Sequence, residues 1–147
     1  MPSVQHAGLT VRDLDRALAF YTDALGMAPV MEVQERRGGY WSEIVGYPDL
    51  DVRFVHVAFP GDDARLELVE YRTPSARGDA GEPRDVGVTH VCLVVDDVAA
   101  LAERLEAAGA ALYSPPVTVT EGPNTGGVGL YVRDPDGITI ELFQPPR

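Results

Sequence analysis

The sequence predicts an α+β protein of two tandem units, each a strand, a helix and then a run of strands. His6-Ala7-Gly8-Leu9-Thr10-Val11-Arg12-Asp13-Leu14 opens the chain, and His90-Val91-Cys92-Leu93-Val94-Val95-Asp96-Asp97-Val98 opens its second half at a constant offset. Each is followed by a helical apolar pattern. Each half also closes on a strand-like run with a glutamate inside it, Leu66-Glu67-Leu68-Val69 and Ile140-Glu141-Leu142-Phe143.

Apolar alternation marks Val4 to Val11 as a half-buried strand. Asp13 then offers an N-cap, and Leu14, Ala17, Leu18, Tyr21 and Leu25 recur at helical spacing until Gly26 stops the helix. Three strand-like runs follow, near Val30–Arg36, Tyr40–Val45 and Val52–Phe59, divided by Gly38-Gly39 and Gly46-Tyr47-Pro48-Asp49. Pro60-Gly61-Asp62-Asp63 turns the chain into Arg65–Tyr71, which ends a first module over 1–71. Residues 72–86, rich in proline, glycine and charge, read as a linker.

The second module, 87–147, repeats the order. A strand over Gly87–Val95 leads to a helix capped by Asp96 or Asp97, with the stripe Val98, Leu101, Leu105 and Ala108 and a stop at Gly109. Strands are expected near Ala111–Tyr113, Val117–Thr120, Gly127–Arg133 and Ile138–Gln144. Asp134-Pro135-Asp136-Gly137 makes the last turn.

Composition narrows the function. Of 147 residues, 45% are hydrophobic and 24% charged, as in a water-soluble globular domain. The net charge of −11 opposes phosphate neutralisation, so nucleic acid is not an expected partner. No apolar run approaches the ~20 residues that span a bilayer, so no membrane is expected either. Met1-Pro2-Ser3-Val4-Gln5-His6 has no basic segment or apolar core of a signal peptide, and the single cysteine, Cys92, rules out an intrachain disulfide. Both fit a cytoplasmic protein.

Strand parity places the polar residues. Ala7, Leu9 and Val11 share one face with the helix that follows, leaving Val4, His6, Gly8 and Thr10 opposite. Val91, Leu93 and Val95 lie under the second helix, with His90, Cys92 and Val94 opposite. On the closing strands Leu66 and Leu68 point with the helix while Glu67, Val69 and Tyr71 point away, and Ile140 and Leu142 likewise oppose Glu141 and Phe143. His6, Glu67, His90 and Glu141 therefore fall on the face away from the helices. A glutamate between two leucines is ordinarily a solvated edge, and a lone strand histidine is ordinarily structural. Two of each at repeat-related positions instead form a candidate metal site, with small residues, Gly8 and Cys92, two places after each histidine.

Other residues carry less. His56 lies on a strand apolar on both faces, so parity leaves its direction open, and a structural role is expected. Tyr40, Trp41 and Glu43 could line a cleft, though an aromatic pair on a strand more often packs in a core. Glu121 to Gly127 reads as a hairpin connection, and Cys92 as an inert strand cysteine.

At these positions the chain resembles the vicinal oxygen chelate superfamily, which includes glyoxalase I, methylmalonyl-CoA epimerase, extradiol dioxygenases and bleomycin-resistance proteins. HAGLTVRDLDRALAFYTDALGM from His6, RLELVEY from Arg65, His90–Gly109 and RDPDGITIELF from Arg133 carry the resemblance in the family's order. It implies two βαβββ modules whose mixed sheets curl around a shared metal cleft, a single divalent ion (Zn, Ni, Co, Mn or Fe) on His6, Glu67, His90 and Glu141, and a homodimer. A glutamate at position 67 is similar to the isomerase and epimerase branch. That branch implies proton transfer α to the carbonyl of a small-molecule substrate through an enediolate, with Glu141 as base and Glu67 as ligand or partner acid. An extradiol-type dioxygenase using His6, His90 and Glu141, or a drug-binding resistance protein without catalysis, are the alternatives. Short bacterial glyoxalases carry Arg and Asn for glutathione where this chain has Thr10 and Tyr71, which argues against glutathione as the thiol.

Overall fold

The computed structural model describes residues 1–147 and divides into two compact units, Met1–Gly78 and Asp79–Arg147. Each unit carries one five-stranded mixed sheet. No helix is long and apolar enough to cross a membrane.

In the first unit β1 (Ala7–Val11) leads into α1 (Leu14–Ala19), which continues as a π-helical turn over Phe20–Ala24. The Asp13 carboxylate caps α1 by accepting from the Arg16 N–H at 2.9 Å, as its position before the apolar stripe foretells. The wider π turn, closed by the Leu25 N–H on the Phe20 carbonyl, lets the adjacent rings of Phe20 and Tyr21 both bury. Then follow β2 (Ala28–Pro29), β3 (Gln34–Arg37), α2 (Gly39–Val45), β4 (Asp51–Ala58) and β5 (Leu66–Thr73). The sheet order is β1-β5-β4-β2, with β3 also on β4. β2 and β3 thus act as one interrupted strand, and the β-α-β-β-β reading holds. β1 runs parallel to β5 while β4 and β5 form an antiparallel hairpin.

The expected strand over Tyr40–Val45 is a helix. Trp41 and Val45, one helical turn apart, lie against the Leu50, Val52, Phe54 and Val69 cluster, while Tyr40 and Ile44 point to solvent. Gly38 and Gly39, both at positive φ, make the turn into this helix, and Gly46 ends it in the left-handed region.

The second unit repeats the layout. β6 (Val91–Val94) precedes α3 (Val98–Ala107), capped by the Asp97 carboxylate on the Ala100 N–H at 2.9 Å. β7 (Ala111–Leu112), β8 (Val117–Thr118), β9 (Val128–Arg133) and β10 (Thr139–Gln144) complete it. Its sheet order is β6-β10-β9-β7, with β8 also on β9, and β6 is parallel to β10. Val98, Leu101 and Leu105 of α3 are buried, as are Leu130, Val132, Ile140 and Leu142 of the sheet. Burying one such side chain contributes about 1.5–3 kcal/mol. The residues expected as a linker are tied down: Arg12 donates to the Gly78 carbonyl at 2.7 Å, and Arg133 to the Gly81 carbonyl at 2.9 Å.

Candidate metal centre

The closing strands β5 and β10 position the glutamates. Each is the inner partner of a parallel strand on one side and an antiparallel strand on the other, so its side chains are boxed by two neighbours. Glu67 stands between Gly8 on β1 and His56 on β4. Glu141 stands between Cys92 on β6 and Tyr131 on β9. Leu66, Leu68, Ile140 and Leu142 bury on the helix side, which commits both carboxylates to the other face.

In the first unit His6 and Glu67 meet. His6, one residue before β1, sets its Nε2 3.4 Å from Glu67 Oε2, while its Nδ1 bonds the Gln5 side-chain oxygen. His56 joins them: its Nε2 lies 3.1 Å from Glu67 Oε1, and its ring centroid 4.9 Å from that of His6. One donor atom from each of His6, His56 and Glu67 falls within 4.8 Å of the others. Gly8 leaves the approach open, since a Cβ there would stand 3.8 Å from Glu67 Oε2.

In the second unit His90 and Glu141 meet at 3.1 Å, Nε2 to Oε2. The Tyr131 hydroxyl lies 3.4 Å from the same His90 nitrogen, with the two rings 5.0 Å apart. Burial pushes the Cys92 thiol's pKa up, and the Glu141 charge and hydrogen bond raise it further. Tyr131 is raised for the same first reason, with Glu141 and then Cys92 adding to it.

The structure therefore joins His6 to Glu67 and His90 to Glu141. Sequence reasoning assigned His56 a structural role and did not single out Tyr131. Both stand directly across a hairpin ladder from a glutamate, so pairing β4 with β5 and β9 with β10 by their turns was the signal that could have found them.

These donor sets fit a divalent ion. Ligand atoms ~2.0–2.2 Å from one centre lie roughly 3.0–3.5 Å from each other, and the imidazole–carboxylate separations are 3.1–3.4 Å. Neutral imidazole nitrogens with carboxylate oxygens suit Zn, Ni, Co, Mn and Fe. On the same face as Glu67, Thr10, Tyr47, Tyr71 and Arg77 line a cavity of about 630 Å³. Burial raises the Tyr71 hydroxyl's pKa, with Tyr47 and Glu67 adding to it.

The model of the Glyoxalase/Bleomycin resistance protein/Dioxygenase superfamily matches residues 3–142. The chain belongs to this superfamily. A protein of Actinomyces sp. named 2-epi-5-epi-valiolone epimerase is 32% identical over 146 residues, covering 98% of this chain and 80% of that protein. A probable lactoylglutathione lyase of Vibrio parahaemolyticus is 30% identical over 145 residues, covering 96% and 89%. Among solved structures, a glyoxalase family protein from Bacillus cereus superposes with a TM-score of 0.88 at 22% identity, covering 100% of this chain and 96% of that one. That likeness bears on the fold, and it agrees with two βαβββ modules of the glyoxalase superfamily type.

Proposed function

We propose that this protein is a metal-dependent lyase, isomerase or epimerase that moves a proton α to a carbonyl, with His6, Glu67, His90 and Glu141 holding one divalent ion. The observation that carries the reading is the repeated imidazole–carboxylate pair: His6 with Glu67 at 3.4 Å and His90 with Glu141 at 3.1 Å, on matching strands of two matching sheets. Relatives named as an epimerase and as a lactoylglutathione lyase support it from outside the geometry.

When bound, the ion would act as a Lewis acid that polarises the substrate carbonyl. The residues do the rest. Glu141 is the more accessible carboxylate, with 30% of its side chain exposed against 12% for Glu67. In an isomerisation it takes the α-proton on a carboxylate oxygen and returns it to the neighbouring carbon, ending as it began. An epimerisation needs a proton delivered to the opposite face by a partner acid, the role Glu67 would fill, with both carboxyls restoring their protonation by exchange with solvent. Glu67, enclosed by two imidazoles, stays in place. The cavity lined by Thr10, Tyr47, Tyr71 and Arg77 seats the remainder of a small carbonyl compound, and the protein acts as a homodimer.

Elemental analysis of the purified protein, followed by solvent-deuterium exchange at the α-carbon of candidate hydroxy-ketones, thiohemiacetals and acyl thioesters, tests this. Bound metal with exchange that Glu141→Gln lowers by about 10²–10⁴-fold is the expected result. Exchange unaffected by a chelator and by Glu141→Gln would overturn it. Oxygen uptake with catechols that survives Glu67→Ala would point instead to a dioxygenase.

A further inference from the structure

The two glutamates occupy equivalent places in a duplicated unit, yet what stands across the ladder from them differs. His56 faces Glu67, and Tyr131 faces Glu141. His56 is 8% exposed, in the middle of β4, with the Phe54 ring 6.4 Å away on one side and the His6 ring 4.9 Å away on the other. From there its Nε2 reaches Glu67 Oε1 at 3.1 Å, while the second oxygen, Oε2, is the one nearest His6 Nε2. The Tyr131 hydroxyl, by contrast, approaches the His90 nitrogen and leaves both Glu141 oxygens to other contacts.

We propose that His56 is a positioning residue for the metal centre: its Nε2–H holds Glu67 Oε1 and so presents Oε2 to the ion beside His6. The inference rests on the reading that Glu67 is a ligand. Its physical basis is that a carboxylate with one oxygen anchored by a buried donor has a single orientation left for the other oxygen. The rotamer freedom that binding an ion would otherwise remove is already gone in the folded protein. Partners of this kind around metal sites are worth about 10–100-fold in affinity. The partner on Glu141 is instead the Cys92 thiol, a weaker donor than an imidazole N–H, so the buried imidazole anchor is particular to Glu67.

The test is metal affinity of the full-length protein, stripped with chelator and titrated calorimetrically with Zn(II). His56→Gln keeps an amide N–H near the place of Nε2, whereas His56→Asn sets its amide near the place of Nδ1 and His56→Leu has no donor. The expected result is affinity within about 3-fold of wild type for His56→Gln, and a loss of about 10–100-fold for the other two. Equal losses in all three folded variants would make His56 a direct ligand and overturn the positioning role. Affinity unchanged in His56→Leu would overturn it too, with the metal site itself left standing. A folded wild-type protein that binds no divalent ion would overturn the function proposed above and this inference with it. A further readout needs no variant: long-range proton–nitrogen correlation on the metal-free wild type should show the His56 proton on Nε2. An unprotonated Nε2 would refute the proposal even if every substitution unfolds the chain.

Discussion

Replacing Asp134 with alanine should destabilise the fold by about 3 kcal/mol, because this side chain closes the turn that sets β10 in register. Asp134 is 4% exposed, and its Oδ1 accepts the Asp136 N–H at 2.9 Å and the Ile138 N–H at 2.8 Å. The turn is also pinned by the Asp134 N–H on the Ile138 carbonyl and the Gly137 N–H on the Asp134 carbonyl. Alanine leaves two part-buried backbone donors without their acceptor. Each hydrogen bond to a charged group contributes about 1.5–3 kcal/mol, and the lower end for each of two gives about 3 kcal/mol. For a chain of this length that corresponds to roughly 6–12 °C in Tm. An asparagine side chain keeps an oxygen in the same place, so Asp134→Asn should lose only about 1 kcal/mol. Urea unfolding followed by circular dichroism measures both. A loss below about 1 kcal/mol in Asp134→Ala, or equal losses in the two variants, would refute the reasoning. The turn leads directly into the strand bearing Glu141, so the alanine variant should lose activity in parallel with its lost register.

Gly127→Ala should cost about 1–3 kcal/mol, since a Cβ there would meet the Gln144 carbonyl at 2.9 Å and the Asn124 carbonyl at 3.0 Å, both backbone atoms. Gly8→Ala, whose Cβ would meet only Glu67 Oε2 at 3.8 Å, should stay within about 0.5 kcal/mol of wild type in the same denaturation assay. Arg53, bonded to both Asp15 oxygens at 2.8 and 3.1 Å, holds that carboxyl's pKa below its ordinary 3.8. The stabilisation is therefore present above that value and disappears as pH falls through the lower folded-state one, so the gap in urea midpoint between wild type and Asp15→Asn should close on acidification. A gap that does not narrow at all as the pH is lowered from neutrality into the acid range would contradict this.

The elements read correctly from sequence are those whose signals are local. Asp13 and Asp97 cap their helices through their own side chains, and Gly26 and Gly109 stop them at positive φ, so four or five neighbouring residues hold the whole message. The alternation around Glu67 and Glu141 likewise fixes the face each carboxylate takes, because the flanking leucines and isoleucine have one core to enter. Tyr40–Val45 misled because its aromatic and β-branched residues favour a strand on propensity. What decides is Trp41 stacking on Phe54, ring centroids 4.7 Å apart, a contact across the sheet face that no local window contains. His56 was illegible for a related reason. Val55 and Val57 beside it are fully buried on one face and Phe54 is buried on the other, so the strand shows no polarity from which to read direction. Only its register opposite Glu67 assigns it.

Duplication explains why each unit carries its own imidazole–carboxylate pair, and divergence within the duplicate explains how the two pairs could differ in role. Copying a strand–helix–strand unit places a histidine before the first strand and a glutamate on the last of each copy, so two donors become four. On the function proposed above, identical copies would give the two carboxylates the same environment, whereas a ligand and a base need different ones. The ladder positions beside the glutamates are where such a difference can be introduced without disturbing the core, because their side chains lie on the face away from α1 and α3. Gly8 and His56 flank Glu67, whereas Cys92 and Tyr131 flank Glu141. The first pair supplies space and a buried donor; the second supplies a thiol and a phenol that both titrate higher because of burial and then the Glu141 charge. On the function proposed here, these four flanking residues, more than the ligands themselves, decide which glutamate holds the ion and which one carries the proton.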